Sequence, residues 1–341
     1  MARRDLRDLL ERPLVVAPMA GGPSTVELVA AAGSAGALGF LAGGYRTAEQ
    51  LGADIDALRA ASRAPFGVNL FVPGSPAADP EALQRYLDEL RPEAESLGCQ
   101  LAEPVWDDDG WDDKLAAVAA TVPPVVSFTF GCPDREVIES LQQAGSLVAV
   151  TVTTVAEAVV AAGRGADAVC SQGLEAGGHR GTFRNDDRPL QQVPLVELVR
   201  SIAAATDVAQ LAAGGVAGPD DVREVLAAGA VAAQCGTAFL RCPESGASPL
   251  HKAALADPGF IGTAVTRSFS GRPARGLVNR FMADHPDAPP AYPEINNATR
   301  PLRASAAGAG DTAAMSLWAG TGYRSAADRP AGEVVEMLTA G

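Results

Sequence analysis

The stretch Gln172 to Phe183, QGLEAGGHRGTF, sets one of only three histidines among four glycines, directly after the short apolar run Ala168-Val169-Cys170-Ser171. The run has the composition of a buried strand, and glycines beyond it permit close approach of backbone to a flat or anionic ligand. His179 is then either a solvated imidazole in a Gly-rich turn or a proton-handling group at a ligand site. Other polar residues stand at comparable places. Asn69, inside Gly67-Val68-Asn69-Leu70-Phe71, is an amide whose burial demands a partner, a ligand or a neighbouring backbone group. Gln172 can both donate to and accept from the edge of a heterocycle. Ala213-Gly214-Gly215-Val216 and Gln234-Cys235-Gly236-Thr237 have the composition of anion nests, or of glycine turns that merely shape a connection. Ala17-Pro18-Met19-Ala20-Gly21-Gly22 offers close backbone approach beside a polarizable side chain, although Met19 equally suits ordinary packing.

Several chemistries lack their motifs. There is no GxSxG elbow for nucleophilic hydrolysis and no GxGxxG opening a βαβ unit. The five cysteines, Cys99, Cys132, Cys170, Cys235 and Cys242, form no CxxC pair, which points to a reducing compartment and away from a metal site. Cys132 reads as a packed thiol.

Eight apolar runs place these residues: Leu14 to Ala17, Ala37 to Leu41, Phe66 to Phe71, Val125 to Phe128, Leu147 to Val150, Ala168 to Ser171, Val208 to Ala212 and Ala230 to Cys235. Helix-length stretches separate them, with capping-box patterns at Ser24/Glu27, Thr47/Gln50 and Thr154/Glu157, and Pro219 at a first helical position. Eight such alternations predict an α/β fold of the TIM class, a closed (β/α)8 barrel. Its ligand site lies at the C-terminal strand ends, and its phosphate site commonly lies after the seventh and eighth strands, where both double-residue loops fall. An inserted segment follows the third strand, about residues 73–123, with a helix near Glu81 to Leu97 and an acidic piece from Trp106 to Lys114 leaning over the barrel mouth. The expected division is a barrel over 1–241 and an extension of helices and long loops over 242–341 that caps the substrate or only packs.

The chain has 341 residues and a net charge of -14, which argues against nucleic acid and anionic membrane as partners. The start, MARRDLRDLLERP, lacks an apolar targeting core, and no window is long and apolar enough for a membrane span, so a cytoplasmic protein, monomer or homodimer, is expected.

The motifs APMAGGPST (17–25), GVNLFVP (67–73), SFTFGCP (127–133), GADAVCSQGLEAGGHRGTF (165–183), AAGGV (212–216), QCGTAFLRCPESGAS (234–248) and FSGRPARGLVNRF (269–281) resemble those of the FMN-dependent nitronate monooxygenases, formerly 2-nitropropane dioxygenases. So do YPEINNATRPLR (292–303) and SLWAGTGY (316–323) in the tail. The resemblance runs nearly end to end. It implies FMN at the barrel mouth, held by Ala17, Pro18, Met19, Asn69, Gln172, Gly177, Gly178, Gly214, Gly215, Gln234, Cys235, Gly236 and Thr237, the last residues cradling its phosphate. It implies that a nitronate gives one electron to the flavin, that the substrate radical engages dioxygen, and that the adduct collapses to a carbonyl compound and nitrite. His179 is the implied catalytic residue, orienting the anion and managing protons as a group titrating near neutrality. Tyr292, Tyr323 and Arg272 are further candidates for the substrate pocket or the phosphate side. Two other readings remain: an NAD(P)H-dependent FMN reductase of the same superfamily, acting on an enoyl thioester or a quinone, and a flavin-binding protein with no activity.

Overall fold

The computed structural model describes residues 5–340. All eight apolar runs form strands: β1 (Leu14–Val16), β2 (Leu38–Ala42), β3 (Phe66–Phe71), β4 (Val125–Thr129), β5 (Leu147–Val152), β6 (Ala168–Gln172), then, beyond the two-residue β7 (Gly178–His179), β8 (Ala209–Ala213) and β9 (Ala232–Cys235). Their continuous burial matches parallel strands covered on both faces. They close into a parallel barrel in the order β1-β2-β3-β4-β5-β6-β8-β9. The register aligns Gln172 with Ala213 and Ala213 with Gln234, so the candidate residues of three neighbouring strands form one row at the C-terminal rim.

Helices α1 (Val26–Ser34), α2 (Ala48–Ala61), α3 (Pro80–Ser96), α4 (Trp111–Thr121), α5 (Arg135–Ala144), α6 (Val155–Arg164), α7 (Leu195–Ala205) and α8 (Pro219–Ala227) follow the barrel strands in turn. At α2 the predicted capping box is complete, Thr47 accepting from Gln50 N and Gln50 from Thr47 N. Two caps differ from the sequence pattern. Thr25, not Ser24, caps α1, because the Ser24 hydroxyl is taken by the Met19 N–H at 2.9 Å. Thr154 caps α6, but Glu157 reaches past it to Thr153 N and, with its other oxygen, to Phe183 N, tying the helix to the histidine loop. Between β3 and β4 there are two helices: α4 packs between α2 and α5 as the barrel's own crossover, and α3 is the addition.

The tail is more than helices and loops. After α9 (Pro249–Ala256), strands β10 (Thr263–Thr266) and β11 (Ala274–Leu277) form a hairpin whose inner strand pairs antiparallel with β7, Ala274 opposite His179 and Arg275 opposite Gly178. Helices α10 (Arg280–Asp284), α11 (Glu294–Ala298), α12 (Arg300–Ala309) and α13 (Ala331–Leu338) follow. Leu83, Tyr86, Leu87 and Leu90 of α3 share one buried core with Phe269, Phe281, Ile295 and Leu302 of the tail. The α13 residues Val334, Val335 and Leu338 instead join the core around β1 and α1. Inside the barrel, Phe40, Leu147 and Leu211 pack in layers, and Leu6 and Leu9 of a short 3-10 helix close the lower end.

Candidate active site

The rim is polar where it would meet a ligand. Asn69 is 3% exposed, and its amide donates to the Ser127 hydroxyl at 2.9 Å and the Thr129 hydroxyl at 3.0 Å. Thr129 continues to Thr151 at 3.2 Å, and Gln234 donates to the Cys170 thiol at 3.2 Å. Burial pushes the thiols of Cys170 and Cys235 up to about 12, so both are neutral packing groups. Cys132 is also buried, with its thiol on the Pro133 carbonyl.

Glycine pair 214–215 stands at the end of β8 with φ of +132° and +71°, a backbone that glycine adopts freely and other residues rarely do. Among the described residues neither N–H is used by a loop or turn hydrogen bond, and the same holds for Gly236 and Thr237 at the end of β9. Four unclaimed donors on adjacent strand ends fit a phosphate group. Ala17 donates to the Cys235 carbonyl at 2.9 Å, bringing the Pro18-Met19 turn alongside, and Met19 lies against Gly236. Gly178 has open space around it at φ +75°. At Gly177 a Cβ would lie 2.4 Å from the Gly320 nitrogen, so the tail backbone packs directly against this position. Gly320 N in turn donates to the Thr237 hydroxyl at 3.0 Å, and Thr321 N to the Glu175 carbonyl. The AGTG segment of the tail thus braces the cradle from outside.

The histidine loop is held by its own polar groups. Gln172 donates to the His179 carbonyl at 3.0 Å and accepts from Gly181 N at 2.8 Å, so the amide clamps the loop closed. The buried Arg180 turns inward onto the carbonyls of Gln172 and Gly173, and Arg272 caps those of Arg180 and Thr182. These guanidiniums replace a ladder the loop cannot make with itself.

The His179 ring points into a cage. Its Nε2 lies 2.8 Å from the Ser270 hydroxyl, and the rings of Phe130, Tyr292 and Trp318 surround it at centroid distances of 5.9, 5.6 and 5.4 Å. Phe71 lies behind Phe130 at 4.6 Å, Tyr45 behind Phe71 at 5.5 Å, and the hydroxyls of Tyr45 and Tyr292 meet at 3.0 Å. Arg272 lies 4.0 Å over the Phe130 ring. Arg303 hydrogen-bonds to the carbonyl and side-chain oxygens of Asn296. Both guanidiniums spend their hydrogen bonds on neutral oxygens, which leaves the cage electropositive. Tyr45 and Phe130 have φ of +65° and +77°. For bulky residues that conformation costs on the order of 1–3 kcal/mol and persists only where the surroundings impose it.

Burial, then Arg272 and Arg303, pull the His179 pKa from 6.5 down to about 3. The imidazole is therefore neutral at physiological pH, which corrects the expectation of a group titrating near neutrality. When the Ser270 hydroxyl donates to the Arg272 carbonyl at 3.2 Å, His179 Nε2–H donates to Ser270 and Nδ1 keeps a lone pair. The Tyr292 hydroxyl is raised by burial and is uncharged; Tyr45 stands at the mouth, 37% exposed as a residue, with its hydroxyl against that of Tyr292 and its pKa likewise raised. Arg272 is lowered to about 10 and stays cationic.

Of the three further candidates, Tyr292 and Arg272 are in the cage, whereas the Tyr323 hydroxyl donates to the Phe260 carbonyl, away from His179. Sequence reading missed Ser270, Tyr45, Phe71, Trp318 and Arg303. Phe130 and Trp318 lie within recognisable motifs without any signal of their individual part, and Tyr45 follows β2 in a turn that carries no signal at all.

A closed (β/α)8 barrel with glycine-bearing loops after its seventh and eighth strands and a buried histidine in an electropositive cage is the architecture of a TIM-barrel enzyme. The chain belongs to the nitronate monooxygenase family, whose model matches residues 3–341. It is 38% identical over 345 aligned positions to nitronate monooxygenase of Pseudomonas aeruginosa, covering 96% of this chain and 95% of that protein. Its fold superposes on the crystal structure of nitroalkane oxidase from Streptomyces ansochromogenes with a TM-score of 0.96 at 48% identity, over 98% of this chain and 96% of that one. FabK from Thermotoga maritima is more distant, with a TM-score of 0.70 at 25% identity over 98% and 94%.

Proposed function

We propose that the protein oxidises alkyl nitronates with dioxygen to a carbonyl compound and nitrite, using FMN bound at the barrel mouth. The observation that carries this reading is the neutral His179 in a cage bordered by two cations, a setting that attracts a small anion and has a vacant proton acceptor. Family membership supports the same reaction. FMN supplies the acceptance of single electrons from the substrate. The N–H groups of Gly214, Gly215, Gly236 and Thr237 hold its phosphate; Ala17, Pro18, Met19, Asn69, Gln172, Gly177, Gly178, Gln234 and Cys235 line its remaining edges. The barrel over 1–241 binds the cofactor, and the insertion with residues 242–341 encloses the substrate.

His179 orients the nitronate oxygens toward Arg272 and Arg303. An anion arriving beside the ring offsets the two cations and restores proton affinity at Nδ1, so the imidazole takes up a proton as substrate binds and returns it as product leaves. Phe130, Tyr292 and Trp318 keep water from the reacting carbon.

The test is nitrite release in air by FMN-loaded protein supplied with a short alkyl nitronate, and separately with propionate 3-nitronate, without NAD(P)H. Turnover that stops when oxygen is removed is the expected result. An intact yellow protein that forms no nitrite, yet bleaches rapidly with NAD(P)H under anaerobic conditions, overturns the reading in favour of a reductase.

A further inference from the structure

The acidic segment after Trp106 touches the site without belonging to it. Asp109 accepts the Tyr45 N–H at 3.0 Å on one carboxylate oxygen, while the other pairs with Lys114 at 2.6 Å. Lys114 is 2% exposed and is one of the chain's two lysines. Its ammonium lies against that carboxylate. Tyr45 is held at φ +65°, and its hydroxyl meets that of Tyr292. From the other side, Asp107 accepts Asp109 N at 3.0 Å and the Asn297 amide at 2.7 Å, and Asn297 also donates to the Val105 carbonyl. Asn297 belongs to α11, which begins two residues beyond Tyr292. One short segment thus grips the backbone of Tyr45 and the helix that carries Tyr292.

We propose that Asp109, fixed by Lys114, is a positioning residue for the nitronate site: it holds Tyr45 in its left-handed conformation so that the Tyr45–Tyr292 hydroxyl pair forms one wall of the substrate cage. This rests on the proposed reading of the cage as the nitronate site. The carboxylate is suited to the task because an ionised acceptor binds an N–H more strongly than a neutral one. A left-handed tyrosine relaxes to an extended conformation once that restraint is gone. Lys114 fixes the carboxylate rotamer and compensates its charge. Phe71 then loses its edge contact with Tyr45, and the wall opens where the substrate sits.

The test replaces the ion pair with an uncharged pair of similar volume, since leaving either charge alone would unfold the region for an unrelated reason. In Asp109→Leu/Lys114→Met, KM for the nitronate rises about tenfold, the loss of one good hydrogen bond's worth of positioning, while kcat and FMN affinity stay within about twofold. In Asp109→Asn/Lys114→Met an amide oxygen again accepts from Tyr45 N, and KM returns towards the wild-type value. Tyr45→Phe raises KM similarly and does not add to the Asp109→Leu/Lys114→Met effect, because both remove the same hydroxyl contact. If the leucine variant has an unchanged KM while His179→Asn or Tyr292→Phe disturbs turnover, the positioning role is overturned and the cage stands. If those two site variants also turn over nitronate normally, the cage itself is not the nitronate site. Should the leucine variant fail to fold, Tyr45→Phe with unchanged KM overturns the proposal by itself.

Discussion

A histidine expected to titrate near pH 7 is instead held neutral, and this shapes what can be measured. Because kcat/KM follows the ionisation of the free enzyme, it should show no acidic limb from His179 between pH 6 and 8; a limb centred near 6.5 would mean that the ring is more solvated than its burial and the two arginines require. His179→Asn keeps a polar group at the Ser270 contact but cannot take a proton, and is expected to lower kcat/KM by about 100-fold or more, read from initial nitrite rates with a preformed nitronate. Stability follows the same logic. His179 and His251 have folded pKa values of about 3 and 4, below the unfolded value of about 6.5. The unfolded chain therefore binds more protons than the folded one over that interval, so stability is full above about pH 6.5 and is lost as pH falls toward 4, by about 1.4 kcal/mol per pH unit for each group. Thermal unfolding followed across pH 7 to 4 should show that decline.

Among the elements, those built from local pattern were legible in the sequence, and those built from distant partners were not. All eight barrel runs were visible because parallel strands buried on both faces need continuous apolar residues. The position of the two glycine-bearing loops was legible, since Gly214 and Gly215 follow the seventh barrel strand and Gly236 the eighth. A Gly215→Ala substitution tests the proposed cradle: at φ +71°, with the added Cβ 3.0 Å from that of Glu175, the nest distorts, and FMN affinity by fluorescence titration should fall about tenfold or more while the far-ultraviolet dichroism is retained. The β10–β11 hairpin escaped notice because it pairs with a two-residue strand almost a hundred positions earlier, and Ala274 to Leu277 shows no alternation strong enough to declare it. Gly177 illustrates the same limit. Nothing in its local sequence announces the tail backbone of residues 319 and 320 that packs against it. Tyr45 and Phe130 owe their place in the cage to left-handed turns that no residue type announces.

Across the whole molecule, insertion and tail are one body. Tyr86 of α3 donates to the Ser268 carbonyl, Ala77 N to Glu294 and Ala102 N to the Ala298 carbonyl, all around the core that α3 shares with the tail. The last helix, α13, then returns to α1 and α8. Calorimetry on the FMN-free chain should therefore give a single cooperative transition, and Leu302→Ala in that shared core should lower stability by about 2–5 kcal/mol without separating it into two steps. The pairing of β11 with β7 also sets an order in time. During synthesis the eight barrel strands are complete once residue 235 has been added, yet His179 gains its backbone partner only with Ala274, and its Trp318 wall arrives later still. A nascent chain has therefore made every barrel strand before the residues that wall the His179 pocket are added, so the pocket is completed only well after the strands that carry it.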